Sequence, residues 1–161
     1  TRASTERELA EIRAELYHSG YASKMKNYTE KKRQVPLIMR FETSDGHTVL
    51  CGKNNTANDY LTTKLANRRD WWFHVKDHPG SHVVLECFDG EDDPSEVAFT
   101  EAAMIAAYHS AAKESAGVAV DYTRVREVKK PAGSKPGYVI YHTNWTAYVT
   151  PDEAKVKAMA R

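Results

Sequence analysis

The chain has 161 residues and a formal net charge of +1, with 41% hydrophobic and 28% charged residues. This is the length of one domain, or of one domain with a short arm, and the composition is that of a folded globular protein. No apolar run approaches the roughly 20 residues that span a bilayer, and two cysteines cannot form a disulfide framework. We therefore expect a cytoplasmic protein with no membrane partner.

The first 34 residues have the pattern of a helical arm followed by a basic linker. Thr5 and Glu8 are spaced as in a capping box, and apolar residues from Leu9 to Leu16 then recur at helical spacing. So narrow an apolar stripe is typical of a helix–helix seam, so we expect residues 1–34 to be the end of a coiled-coil arm and its linker. A chain that opens inside such a pattern is expected to be a piece of a longer protein.

Residues 35–161 are expected to form one α+β domain. Segments rich in β-branched and aromatic residues predict strands at 37–43, 47–51, 71–75, 82–88, 118–129, 138–141 and 147–149. Helical spacing of apolar residues predicts helices at 54–67 and 100–114. Because the links between strands are short, we expect a mostly antiparallel sheet in the order β-β-α-β-β-α-β-β-β, with the helices packed on one face.

A polar cluster lies between the second predicted strand and the first predicted helix. It contains Lys53, Asn54, Asn55, Asn58 and Asp59. Helix capping is the simpler interpretation of each Asn or Asp taken singly. The cluster holds more of them than one cap needs, and free backbone N–H groups beside a lysine favour phosphate. We therefore expect the cluster to contact a ligand such as RNA.

The segment from Asp70 to His74 predicts a strand with two different faces. Alternation places Trp71 and Phe73 in the core and sets Asp70, Trp72 and His74 on the other side. An exposed indole there can stack a base while the polar pair bonds the base edge or the ribose. The alternative is that Trp72 packs under a loop while Asp70 orients His74.

The histidines raise the questions of a metal site and of catalysis. His74, His78 and His82 are four residues apart, but a Pro-Gly turn interrupts any helix that would bring the three together. The tight ligand spacing of a closed zinc site is absent, so we expect no metal and no other cofactor. His74 with Asp70 or Ser81 could form a catalytic pair. The sequence contains no nucleophile motif and no phosphate-binding loop motif to accompany such a pair, so we expect a domain that is not an enzyme.

A basic segment covers the end of the long predicted strand and the loop after it. Arg124 and Arg126 are two apart on that strand and are expected to share a face. Lys129, Lys130 and Lys135 belong to a loop rich in Pro and Gly, which suits contact with a phosphate backbone. Solvated charge is the simpler interpretation of any one lysine, but neighbouring aromatic residues offer stacking platforms.

Taken in order, these motifs resemble one family. The matching segments are Gly52-Lys53-Asn54-Asn55, Asn58-Asp59-Tyr60-Leu61-Thr62, Asp70-x-Trp72-x-His74, Pro79-Gly80-Ser81-His82-Val83, Glu101-Ala102-Ala103, Val120-Asp121-Tyr122-Thr123, Lys129-Lys130-Pro131 and Lys135-Pro136-Gly137. They are similar to NFACT-R, the C-terminal RNA-binding domain of the NFACT family, in the style of its bacterial RqcH or fibronectin-binding-protein-A-like members. The resemblance covers residues 36–151, and the residues before them are similar to the end of that family's coiled-coil domain.

The resemblance implies a function that composition does not. Family members act in ribosome-associated quality control and bind large ribosomal subunits blocked by a peptidyl-tRNA. Bacterial members bring in alanyl-tRNA and extend the stalled chain with alanines, while peptide transfer belongs to the ribosome. The implied partners are tRNA and large-subunit RNA, and Ser81 and His82 join the expected RNA-binding residues. The family's N-terminal tRNA-contacting domain is not in this sequence, so this chain alone is not expected to extend anything.

Two alternatives from other classes stay open. The acidic segment from Glu86 to Glu101 can dock on a ribosomal protein, which would make the domain a protein-interaction module. Asp70 and His74 can instead belong to a nucleotide-modifying enzyme. A steep loss of affinity with salt separates RNA binding from protein docking, and turnover would reveal an enzyme.

Overall fold

A six-stranded sheet organises residues 37–161, which are the residues that the computed structural model describes. In spatial order its strands are β1 (Ile38–Glu42), β2 (Thr48–Gly52), β4 (Val83–Leu85), β3 (Trp71–Val75), β5 (Val118–Arg124) and β8 (Trp145–Val149). Each neighbouring pair is antiparallel. The predicted coiled-coil arm and linker, residues 1–34, lie outside the described residues.

The remaining elements are short. A separate two-stranded sheet and three helices complete the described part: β6 (Val128–Lys129), β7 (Ile140–Tyr141), α1 (Asn55–Tyr60), α2 (Glu96–Tyr108) and α3 (Glu153–Met159). A wide helical turn, Leu61–Leu65, continues α1, and a single tight turn, Val125–Glu127, separates β5 from β6. The α+β class and the mostly antiparallel sheet are confirmed. No helix within residues 37–161 is long and apolar enough to cross a bilayer.

Helix α2 covers one face of the sheet and forms the main core with it. The Ser95 hydroxyl accepts a hydrogen bond from the Ala98 N–H at 3.1 Å, so the helix begins before the predicted start at residue 100. Its alanines are small enough to let the helix approach the sheet closely, and those at positions 98, 102, 103, 106 and 107 are fully buried. Phe73 and Val83 are among the strand residues of this core.

The opposite face of the sheet is also covered, which corrects the expectation that the helices share one face. A second core there contains Leu61 from the turn after α1, Trp72 from β3, Val84 from β4 and Val125. Residues from the β6–β7 region, including Val139, pack against it. The second face carries large apolar side chains, so it needs a cover of its own.

Two boundaries differ from the predicted elements. The long strand predicted at 118–129 ends at Arg124. The Val125 N–H makes one more bond in the β3–β5 register, to the Asp70 carbonyl at 2.9 Å, and the tight turn Val125–Glu127 then leads out of the sheet. Helix α3 was not predicted. It begins at a cap in which Asp152 accepts from the Lys155 N–H at 3.2 Å, and it buries Val156 in the main core.

Candidate nucleic-acid interface

The polar cluster before α1 divides into buried and exposed residues. Asn54 caps the helix, accepting from the Ala57 N–H at 2.8 Å. Asn58 is 4% exposed, and its side-chain oxygen accepts from the His82 N–H at 3.0 Å, so it joins α1 to the β4 region. A Cβ at position 52 would lie 2.2 Å from that oxygen, which is why Gly52 stands there.

The exposed part of the same cluster lines a cleft. Lys53, Asn54 and Asn55 face a cavity of about 470 Å³ that they share with Ser81 and Lys113. The structure therefore brings the predicted Asn-rich loop and the predicted Pro-Gly-Ser turn together. Lys113 was not singled out in the sequence, because it lies in another segment altogether.

Lys130 and Asp59, both predicted to contact RNA, bind each other within the domain. The Lys130 ammonium lies 2.8 Å from Asp59 Oδ1, and the Gly137 N–H donates to the same oxygen at 3.1 Å. Burial favours a higher pKa for Asp59, but the hydrogen bonds from Lys130 and Gly137 leave its pKa lowered overall. Lys130 also donates to the carbonyls of Lys135 and Tyr138, so this clamp holds the loop between β6 and β7 in place.

Trp72 is buried, so the expectation of an exposed stacking indole is wrong. Its side chain is 1% exposed, and its Nε1–H donates to Thr62 Oγ1 at 3.2 Å. The Tyr141 ring lies 5.0 Å from it, which matches the alternative of a tryptophan packed beneath a loop. The alternation of the strand was right, since Trp71 and Phe73 belong to the main core and Trp72 to the second.

A hydrogen-bonded chain continues from Trp72 to His82. Thr62 Oγ1 lies 2.7 Å from His82 Nδ1. The Thr62 hydroxyl accepts from the indole and is within hydrogen-bond distance of Nδ1, so it links Trp72 to His82. Burial, together with the neighbouring His74, lowers the pKa of His82 to about 4, so the ring is neutral near pH 7.

Asp70 accepts hydrogen bonds from backbone N–H groups and does not orient His74. It is 2% exposed, and its two oxygens accept from the N–H groups of Asn67 at 3.2 Å and Cys87 at 3.1 Å. Along an extended strand, residues 70 and 74 are about 13 Å apart. The structure therefore does not assemble the Asp70–His74 pair that the enzyme alternative needs.

His74 and His82 instead line what we call the histidine pocket, a cavity of about 370 Å³ between β3 and the loop before β7. Its other lining residues are Trp72, Val75, Asp77, His78, Gly137, Tyr138, Val139 and Tyr141. The rings of Trp72 and His74 are 7° from parallel, with centroids 5.8 Å apart. Burial lowers the pKa of His74 as well.

The two tyrosines of the pocket were not among the predicted site residues. Tyr141 donates to Asp121 Oδ2 at 2.8 Å, and Thr146 donates to Asp121 Oδ1 at 2.9 Å. Burial raises the pKa of Tyr141, and the Asp121 carboxylate adds to the rise. Tyr138 is 49% exposed at the pocket. The sequence signal for both tyrosines was their place beside the basic loop, where they appeared only as nearby aromatics.

A second cavity on the same side of the sheet carries exposed positive charge. The basic cleft, as we call it, has a volume of about 260 Å³, and its charged lining residues are Arg68, Lys129 and Lys130. Arg126 adjoins it, because its N–H bonds the Arg68 carbonyl at 3.1 Å and its own carbonyl accepts from Lys129 at 3.2 Å. The side chains of Arg68, Arg126 and Lys129 are exposed. Arg68 was missed because it precedes β3, far in sequence from the others.

Arg124 lies elsewhere, so the expectation that it shares a face with Arg126 is wrong. Its guanidinium is 4.3 Å from the centre of the Trp71 ring and forms an ion pair with Asp93 at 3.0 Å. It also donates to the carbonyls of Arg69 and Asp92. Arg124 therefore fixes the acidic loop on the α2 side of the sheet. Arg126 lies in the turn after β5, beside the basic cleft.

Carboxylates of the acidic segment bind partners inside the domain. Glu91 contacts His47 at 2.9 Å, and Glu101, which is 2% exposed, accepts from the Ser44 N–H at 2.7 Å. With the Asp93–Arg124 pair, these contacts give three of the segment's seven carboxylates a partner within the domain. Within residues 37–161, no group of three or more His, Cys, Asp or Glu side chains is arranged to hold a metal ion.

The family model described as "NFACT protein RNA binding domain" matches residues 37–143, which include the clamp, the pocket and the cleft. The chain belongs to this family. The resemblance seen in the sequence is thereby confirmed, and RNA is the class of partner that family membership supports.

Curated relatives and a solved structure support the same family membership. The chain is 46% identical over 152 residues to "Rqc2 homolog RqcH" of Bacillus subtilis (strain 168), and this covers 93% of the chain and 26% of the relative. It is 45% identical over 153 residues to the protein of the same name from Streptococcus suis (strain 05ZYH33), covering 94% and 27%. The chain thus spans about a quarter of the length of these relatives.

The solved structure is described as the C-terminal of the fibronectin/fibrinogen-binding protein from Streptococcus suis. It is 45% identical to this chain, with a TM-score of 0.73, over 80% of this chain and 50% of that one. The NFACT-R domain, as we now call it, therefore shares its fold with a relative whose structure has been determined.

Proposed function

We propose that this NFACT-R domain contacts tRNA or rRNA on obstructed large ribosomal subunits and so supports the addition of alanines to stalled chains in the cytoplasm. The relatives named RqcH support this assignment. The structural observation that carries it is the basic cleft, where Arg68, Arg126 and Lys129 are exposed around one cavity.

The cleft is suited to a phosphate backbone. Two guanidinium groups and one ammonium group supply many donors and no acceptors, and arginine pairs with phosphate in a bidentate geometry. Such contacts position RNA without reading its sequence. Lys135 adds a further exposed cation on the clamped loop. We assign the domain a binding role and leave peptide transfer to the ribosome.

Co-sedimentation tests the proposal. The chain is mixed with large subunits that carry a peptidyl-tRNA, or with vacant large subunits, and the pelleted fraction is measured. We expect the obstructed subunits to retain more of the chain and excess free tRNA to compete with them. The test variant has Arg68, Arg126 and Lys129 all changed to Ala, and it should stay in the supernatant. Equal retention of the chain and this variant would contradict the proposal.

A further inference from the structure

The histidine pocket differs in chemistry from the cleft beside it. Among the described residues, those that line the pocket include no Lys or Arg, whereas Lys129 and Arg68 line the cleft. At about 370 Å³ the pocket lies at the small end of the range for small-molecule sites, which is roughly 300–1,000 Å³. The pocket is therefore suited to one compact group that carries no phosphate.

The walls of the pocket favour a planar aromatic group. Tyr141, the parallel rings of Trp72 and His74, and the half-exposed ring of Tyr138 all line the pocket. His82 and His74 are polar but uncharged near pH 7, because burial disfavours their protonated forms. Aromatic faces together with neutral donors and acceptors are what proteins use to stack an unpaired base and bond its edge.

The pocket is pre-organised on the loop side. The Tyr138 carbonyl accepts from Lys130 at 3.1 Å, and the Gly137 N–H donates to Asp59 at 3.1 Å. These bonds fix the backbone that carries the Tyr138 ring, so less ordering cost falls on ligand binding. Gly137 itself has a positive φ of 85° and lies 3.2–3.3 Å from Asn55 atoms at its Cβ position, so only glycine fits this close approach.

Val139 lines both the pocket and the basic cleft, so the two cavities adjoin. An RNA strand whose phosphates lie in the cleft can therefore turn one base into the pocket. We propose that the histidine pocket receives a single unpaired nucleobase of the RNA that the cleft holds; this inference rests on the proposed function. The domain would then prefer RNA with a bulged or single-stranded nucleotide to a continuous duplex.

The test compares two RNAs by fluorescence anisotropy, a continuous duplex of two strands and the same duplex with one bulged nucleotide in one strand. Tyr138→Ala should weaken binding of the bulged RNA by about tenfold to a hundredfold and leave binding of the continuous duplex unchanged. Tyr138→Phe should bind both as the unchanged chain does. Tyr148→Ala is the matched control, because Tyr148 is 73% exposed on β8 and does not line the pocket.

A second readout follows the pocket directly. Ring signals of His74 and His82 are recorded by NMR during titration with the bulged RNA, and with uridine and adenosine monophosphates as small probes. Shifts in both rings that the continuous duplex does not produce support the proposal. If Tyr138→Ala weakens both RNAs equally, or behaves like Tyr148→Ala, the pocket does not bind a base while the proposed function stands. If the unchanged chain binds neither RNA, the proposed function fails, and this inference fails with it.

Discussion

For Trp72, the sequence predicts the face of the sheet on which the side chain lies but not whether that face is buried. Strand alternation correctly separated Trp72 from Trp71 and Phe73, because it follows from backbone geometry alone. It could not show that the Trp72 face is covered. The cover comes from Leu61 and Tyr141, which are close only after the chain has folded. Burial of Trp72 is therefore a property of the fold and not of the local sequence.

Trp72→Ala should be strongly destabilising. Removing a fully buried aromatic side chain leaves a cavity, and such changes cost about 3–5 kcal/mol in the free energy of unfolding. The variant also leaves Thr62 without the indole N–H that it accepts. Urea unfolding measures the loss. Tyr148→Ala serves as the surface control and should change the free energy by no more than about 0.5 kcal/mol. Equal stability of the two variants would contradict the second core.

At the scale of elements, one buried histidine joins the β1–β2 turn to the acidic loop. His47 is 2% exposed, with Nδ1 2.9 Å from Asp45 and Nε2 2.9 Å from Glu91. Its ring stacks on Phe88 at 3.8 Å between centroids. With a carboxylate at each ring nitrogen, both nitrogens donate, and the ring is held in its charged form.

This contact predicts a pH dependence. Burial favours a lower pKa for His47, but Asp45 and Glu91 leave it raised above its ordinary value of 6.5. A raised pKa means that the stabilisation is complete below about pH 6.5 and is lost as the pH rises through the folded-state value. Asp45 remains charged throughout, because its own pKa is lowered to about 2. Urea unfolding of the chain and of His47→Gln, between pH 6 and 9, should give a stability difference that shrinks with rising pH. A constant difference would show that His47 contributes packing alone.

The elements themselves were largely predictable, because their signals are local. Alternation predicts β3 at residues 71–75, where it lies, and helical spacing predicts α2, although the helix begins earlier, at the Ser95 cap. Helix α3 was missed although Asp152 is an ordinary cap. The break after Arg124 is not visible in the sequence, since the turn that follows is held by a bond from the Arg126 N–H to the carbonyl of the distant residue Arg68.

At the scale of the whole domain, the sheet separates charges of opposite sign. The acidic loop is fixed by Arg124 beside Trp71, on the face that carries the main core. The basic cleft lies beside Val125, which belongs to the second core on the other face. A chain with a net charge of only +1 thus carries a cluster of positive charge on one side, which is where we propose that RNA binds. Sequence blocks of one sign indicated such a separation, but Arg68 joined the cleft only through folding.

The salt dependence of RNA binding tests this account most directly. Affinity for tRNA is measured across a series of salt concentrations for the chain, for the variant with Arg68, Arg126 and Lys129 changed to Ala, and for a control with Lys76, Lys155 and Lys157 changed to Ala. The control removes the same charge at exposed positions outside the cleft. Each lost phosphate contact lowers the slope of log affinity against log salt by about 0.7–0.9, so the cleft variant should lose about two to three units and the control almost none. Equal slopes for the two variants would contradict a basic cleft that binds the RNA backbone.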